Sequence, residues 1–131
     1  MGTILQKFRQ EQPLTIFGNG LSERDYLYID DTVDAIICAL KHEPLNDVVN
    51  IGSGDGKSIL AVLHAVEVAL GQRIARKHVQ SRATDAPSNI LDARKAKDLL
   101  GWKTVTPFHE GVAHTVEWQL HEWEQNPVRG E

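Results

Sequence analysis

Residues 48–71, VVNIGSGDGKSILAVLHAVEVALG, constrain the chain most. A β-branched run, Val48-Val49-Asn50-Ile51, leads into a loop with glycine at 52, 54 and 56, and then into Ser58, a favoured helix N-cap. Ile59, Val62, Leu63, Val66 and Leu70 recur on one helical face, and Gly71 stands where a left-handed C-cap belongs. Strand, glycine turn and amphipathic helix in that order make a β–α unit. Such a unit belongs to alternating α/β architecture, not to a helix bundle or a β-sandwich.

The rest of the chain fits that alternation. Ile4, Leu5 and Phe8 share a face within residues 3–11, and Pro13 stops the helix. Leu14–Phe17 reads as a strand, and Gly18-Asn19-Gly20 supplies turn chemistry. Tyr26–Ile29 reads as a second strand, so residues 14–29 are expected to form a hairpin. Asp30 or Asp31 is placed to cap the next helix, whose apolar stripe is Val33, Ile36, Ile37 and Leu40. Residues 74–80 suit a short strand, and 81–91 a polar loop. Asp92 to Gly101 spans a short capped helix. Thr106-Pro107 opens a last helix with a buried stripe of Val112, Val116, Leu120 and Trp123. About four short strands are fewer than a free-standing doubly wound sheet uses, so the chain reads as part of a larger fold.

A chain of 131 residues is enough for one domain with one core. Its net charge of −4 argues against a general nucleic-acid binder. No apolar run approaches a membrane span. The single cysteine, Cys38, lies among Ile36, Ile37 and Leu40 and reads as a small packed hydrophobe; with no internal disulfide to form, a cytoplasmic location is the expectation.

Residues 52–58 look like a nucleotide-phosphate loop, but the spacing is one residue short and Ile51 stands where the first glycine belongs. The dinucleotide pattern G-x-G-x-x-G fails at its third glycine, where Lys57 stands. The six histidines fall in no His-Glu-x-x-His spacing, so no metal site is expected. No serine sits in a nucleophile elbow, and Trp102, Trp118 and Trp123 read as packing residues. What remains is a pair of arginines in polar surroundings: Arg24 in SERDY and Arg82 in SRATD, with Asp85 three residues after the latter. A guanidinium fork suits phosphate, and a carboxylate can accept from sugar hydroxyls; solvated surface arginines are the plainer reading.

The order PLTIFGNG, RDYLYIDD, helix, VVNIGSG, helix, Arg-x-x-Asp loop, ILDARKAKDLLGW, last helix near EW resembles the C-terminal half of the extended short-chain dehydrogenase/reductases. These are NAD-dependent sugar-nucleotide epimerases and dehydratases, such as UDP-glucose 4-epimerase. The resemblance implies a small mixed α/β substrate-binding domain over residues 1–131, without the N-terminal Rossmann part. It implies a UDP-, dTDP- or GDP-sugar as ligand. Thr15, Ile16 and Phe17 would lie along the base, Arg24 and Arg82 on the diphosphate, Asp85 on the ribose, and Asn89 near the sugar. NAD would belong to the parent enzyme and not to this chain. Neither Tyr26 nor Tyr28 is followed by lysine four residues on, so the family's Tyr-x-x-x-Lys pair is missing and no catalytic residue is expected. The family's Arg-Pro-Gly-Asp loop reads here Arg82-Ala83-Thr84-Asp85. A fragment inactive alone is the first expectation; a non-catalytic binding or assembly module, dimeric through apolar surface left by a missing half, is the second.

Overall fold

A computed structural model describes residues 1–42, 47–81 and 86–126. The elements run α1 (Gly2–Arg9), β1 (Leu14–Phe17), β2 (Glu23–Asp25), α2 (Ile29–Lys41), β3 (Gly56–Ser58), α3 (Ile59–Leu70), β4 (Arg76–Val79), β5 (Ser88–Asn89), α4 (Arg94–Leu100) and α5 (Phe108–Gln125). They are mixed α/β, as expected, but the strands form two small sheets: β1 pairs with β4, and β2 lies between β3 and β5.

The local signals around α3 hold. Ser58 Oγ accepts from the Ala61 amide at 3.1 Å, and Gly71 closes the helix at φ 68°. Gly101 ends α4 in the same way at φ 65°. Asp92 is not the cap of α4; Ala93 is, and Asp92 instead accepts from the Arg94 amide at 3.0 Å. Pro107 is the N-cap of α5 and not its first helical residue. Val62, Leu63 and Val66 of α3 pack with Ile4, Leu5, Leu14, Ile16, Ile74, Val112 and Val116 into the main core. Buried Glu67 anchors β4 to α3, accepting from the Ile74 amide at 2.9 Å and from Arg76 Nη2 at 3.1 Å.

The expected hairpin over 14–29 does not form. β1 pairs in parallel with β4, Ile16 opposite His78, and β2 pairs antiparallel with β3 and parallel with β5. The strand is the charged Glu23-Arg24-Asp25, while Tyr26-Leu27-Tyr28 is an irregular connection and Ile29 already belongs to α2. The Tyr26 and Tyr28 rings turn toward α5: Tyr26 meets Phe108 at 6.2 Å and Tyr28 meets His114 at 5.6 Å, both edge-on. Val48–Ile51 pairs with no strand among the described residues, although Val49 and Ile51 pack beside a second core of Ala35, Ala96 and Trp102. Cys38 is half-buried against that second core. The loop 81–91 contains β5.

Neither aspartate caps α2; Tyr28 is the N-cap, without a side-chain bond. Asp31 is buried and reaches seventy residues along the chain instead. Its carboxylate accepts from Thr104 Oγ1 at 2.8 Å, the Val105 amide at 3.2 Å, the Thr106 amide at 3.0 Å and Thr106 Oγ1 at 3.1 Å. Its carbonyl accepts from Trp102 Nε1 at 2.9 Å. The helical stripe expected to be buried is open: Val33 is 44% exposed, Ile36 56%, Ile37 39% and Leu40 80%. On α5, Leu120 is at the surface and Trp123 is half-buried against the main core, with the Arg9 guanidinium 5.0 Å from its ring.

Candidate functional site

The eight residues 24–31, RDYLYIDD, are where three later segments are fastened. Arg24 Nη1 donates to the carbonyls of Glu23 at 2.6 Å and Ala86 at 2.9 Å, tying down the chain that enters β5. Asp25, on the opposite face of β2, is wrapped by the glycine loop. Its Oδ1 accepts from the Ser53 amide at 2.9 Å and Ser53 Oγ at 2.6 Å; its Oδ2 accepts from the Gly54 amide at 3.0 Å and the Leu91 amide at 3.2 Å. Asp31 fastens residues 102–106. Burial alone would raise the Asp25 carboxyl, but the four donors outweigh it and hold it below the ordinary aspartate range.

This wrapping settles what the glycine loop does. Consecutive amides in such a turn form an anion cradle, and the anion here is the chain's own Asp25 carboxylate. The Ser53 and Gly54 amides are therefore engaged, and the loop does not fit a phosphate or a dinucleotide pyrophosphate. Lys57, the lysine of the phosphate-loop reading, pairs with Asp55 at 2.6 Å.

Arg24 stands at the centre of the three-stranded sheet, opposite Lys57 on β3 and opposite Asn89 on β5. Directly opposed residues send their side chains to one face, so Arg24 and Asn89 share a face. Arg24 is half-buried and has no carboxylate partner among the described residues. Burial pushes the Tyr26 hydroxyl up, and the Arg24 charge nearby opposes that shift.

In β1, Ile16 is 1% exposed and its side chain belongs to the core, so only its backbone faces outward chemistry. Thr15 and Phe17 alternate to the other face and are partly open. The segment between β4 and β5 carries Arg82 and Asp85, which lie outside the described residues. Its described neighbours are held on both sides: Ala86 by Arg24, and Ser81 close to Gly18, where an added Cβ would come within 3.1 Å.

A groove of about 610 Å³ opens between residues 26–30 and α5. It is lined by Tyr26, Tyr28, Phe108, His114, Thr115 and Trp118 among others, and by none of the residues expected at the site. Sequence reasoning does not single out Asp25. The available hint is a Gly-Ser-Gly turn, whose amides can cradle an anion, in a chain with Asp25 beside Arg24 in SERDY. Among the described residues no group of His, Cys, Asp or Glu could hold a metal ion, and no helix is long and apolar enough to cross a membrane.

The family model described as GDP-mannose 4,6 dehydratase matches residues 2–115. A dTDP-glucose 4,6-dehydratase of Xanthomonas campestris pv. campestris is 30% identical, over 97% of this chain and 40% of its own length. A UDP-glucuronate 4-epimerase of Thermodesulfobacterium geofontis is 34% identical, over 83% of this chain and 34% of its own. Among solved structures, UDP-glucose 4-epimerase of Thermotoga maritima with UDP-glucose superposes with a TM-score of 0.83 at 31% identity, covering 92% of this chain and 38% of that one. The chain thus spans between a third and two fifths of the length of these relatives. With a match of that extent and a fold aligned to the C-terminal part of the longer epimerases, the chain belongs to the GDP-mannose 4,6 dehydratase family of the extended short-chain dehydrogenase/reductases.

Proposed function

We propose that this chain is the part of an NAD-dependent nucleotide-sugar epimerase or dehydratase that holds the nucleoside diphosphate of the substrate. The observation that carries the reading is the register that sets Arg24 and Asn89 side by side on one sheet face, with Arg24 lacking a carboxylate partner among the described residues. A half-buried guanidinium anchored by two carbonyls is pre-set for a pyrophosphate oxygen. Arg82 would take the same diphosphate, Asp85 the ribose, and Thr15, Phe17 and the Ile16 backbone the base. Binding energy gathered on the unreacting diphosphate would hold the sugar against a nicotinamide supplied by the remainder of such an enzyme. Alone, the chain would bind nucleotide sugar, bind no NAD and turn nothing over.

Calorimetric titration of UDP-, dTDP- and GDP-sugars tests this. Arg24→Ala is expected to weaken the nucleotide sugar that binds by ten- to a hundredfold, the range of one or two charge-assisted hydrogen bonds, and to lower the thermal midpoint by freeing the Glu23 and Ala86 carbonyls without unfolding the chain. Unchanged affinity would remove Arg24 from the site, and no binding of any nucleotide sugar would remove the reading.

The exposed stripe of α2 favours a second reading, an assembly module that dimerises. Val33, Ile36, Ile37 and Leu40 stand at helical spacing and are all exposed, so they form one open apolar stripe. On this reading sedimentation shows a concentration-dependent mass, and Ile36→Asp with Leu40→Asp makes the chain monomeric. A monomer at high concentration excludes it.

A further inference from the structure

Lys57 loses its phosphate-loop role once Asp25 fills the glycine cradle, and its position then needs another account. It lies directly opposite Arg24 across the antiparallel β2–β3 ladder, so both cations leave the sheet on the face that also carries Asn89. Its ammonium is held at 2.6 Å by Asp55 and sits 5.7 Å from the centre of the Phe108 ring. Tyr26 packs edge-on to the same ring. The Lys57 side chain is 26% exposed and that of Asp55 65%. The ammonium thus lies over an aromatic ring, while its carboxylate partner is largely in solvent.

We propose that Lys57 is a second cation of the nucleotide-sugar face, one that leaves Asp55 to bind a phosphoryl oxygen and selects nucleoside diphosphates over monophosphates. The proposal rests on the reading of Arg24 given above. An ion pair whose carboxylate is largely in solvent is weakened by screening, and an ammonium can exchange one anionic oxygen for another of higher charge without leaving the ring below it. Arg24 provides a fork fixed by carbonyls; Lys57 provides a movable point charge on the neighbouring strand. Of these two cations, a monophosphate meets the fork, and the second phosphate is what reaches the lysine.

The test is calorimetric titration of the whole chain with UDP, dTDP and GDP, each beside its monophosphate, for the unaltered protein, Arg24→Gln, Lys57→Gln and Asp55→Asn. Lys57→Gln is expected to weaken the bound diphosphate about tenfold and its monophosphate less than threefold, and Asp55→Asn to tighten the diphosphate by removing the competing carboxylate. If Lys57→Gln binds the diphosphate as the unaltered chain does while Arg24→Gln is weakened, the Lys57 proposal fails and the site reading stands. Equal weakening of both phosphates would show Lys57 acting through the fold, which also overturns the proposal. If the unaltered chain binds none of the nucleotides, the site reading itself fails.

Discussion

Asp31→Ala is expected to destabilise the folded chain by about 3–4 kcal/mol, read as a lower urea midpoint with an unchanged slope at neutral pH. Asp31 is 2% exposed, and its carboxylate receives four hydrogen bonds from Thr104, Val105 and Thr106. Hydrogen bonds to a charged group make a net contribution of roughly 1.5–3 kcal/mol each. The total is smaller than four times that, because residues 104–106 lie near the surface and water can reach part of what is freed. The loss still forms a large share of the ~5–15 kcal/mol that holds a domain together. Its effect is also directional. Asp31 belongs to the first turn of α2, and the segment it grips leads straight into α5, so the variant loosens the docking of two helices. Asp31→Asn keeps one acceptor oxygen and loses the charge, so about half the destabilisation is expected.

The same carboxylate makes stability depend on acid in a defined direction. Burial pushes the Asp31 carboxyl up; the donations from Thr104, Thr106 and Val105 outweigh it and leave the group below its ordinary value of 3.8. A carboxyl whose folded pKa is depressed contributes stability that is complete above the unfolded value and is lost as pH falls through the folded one. Asp25 is shifted in the same direction by its own four donors. Stability should therefore decline below about pH 4, and the decline should be shallower in Asp31→Ala, with a remainder contributed by Asp25. A variant with the same acid slope as the unaltered chain would show that Asp31 is not the group being titrated.

How much of this was legible in sequence depends on how far each determinant reaches. Ser58, Gly71 and Gly101 act within one helical turn, and each cap stands where the residues imply. Asp31 at the start of a helix is read locally as a cap; the donors it serves lie more than seventy positions on and leave no mark beside it. Tyr26–Ile29 has strand-forming residues and Glu23-Arg24-Asp25 does not, yet the charged triplet pairs because β3 and β5 lie on either side of it. Intrinsic preference yields there to the ladder. The α2 stripe shows that periodicity marks a face fit for burial without naming what covers it. At the site, the resemblance names Arg24 and Asn89 separately, and their pairing across two strands is seen only in the fold. Ile16 shows the limit of residue-by-residue transfer, since its side chain is taken by the core. Arg82 and Asp85 lie outside the described residues.

Gly52→Ala is expected to cost about 2–4 kcal/mol, more than Gly54→Ala, although Gly54 is the one with left-handed backbone at φ 73°. A Cβ at position 52 would come within 2.7 Å of Asp25 Oδ2 and 2.7 Å of Leu91 Cβ. Neither neighbour gives way freely. Asp25 Oδ2 is fixed by the Gly54 and Leu91 amides, so moving it breaks the cradle and loosens β2 against both the glycine loop and residue 91. At Gly54 the nearest atom to an added Cβ is the Leu91 carbonyl oxygen at 3.8 Å, so only backbone strain of about 1–2 kcal/mol applies. Ranking by φ alone predicts the reverse order. Thermal and urea unfolding of the two variants distinguish the accounts, because a larger loss at Gly54 would mean that the cradle yields easily. Arg24 is the residue before Asp25 on the same strand, so Gly52→Ala should also weaken nucleotide binding in proportion to its strain, whereas Gly54→Ala should leave binding within about twofold.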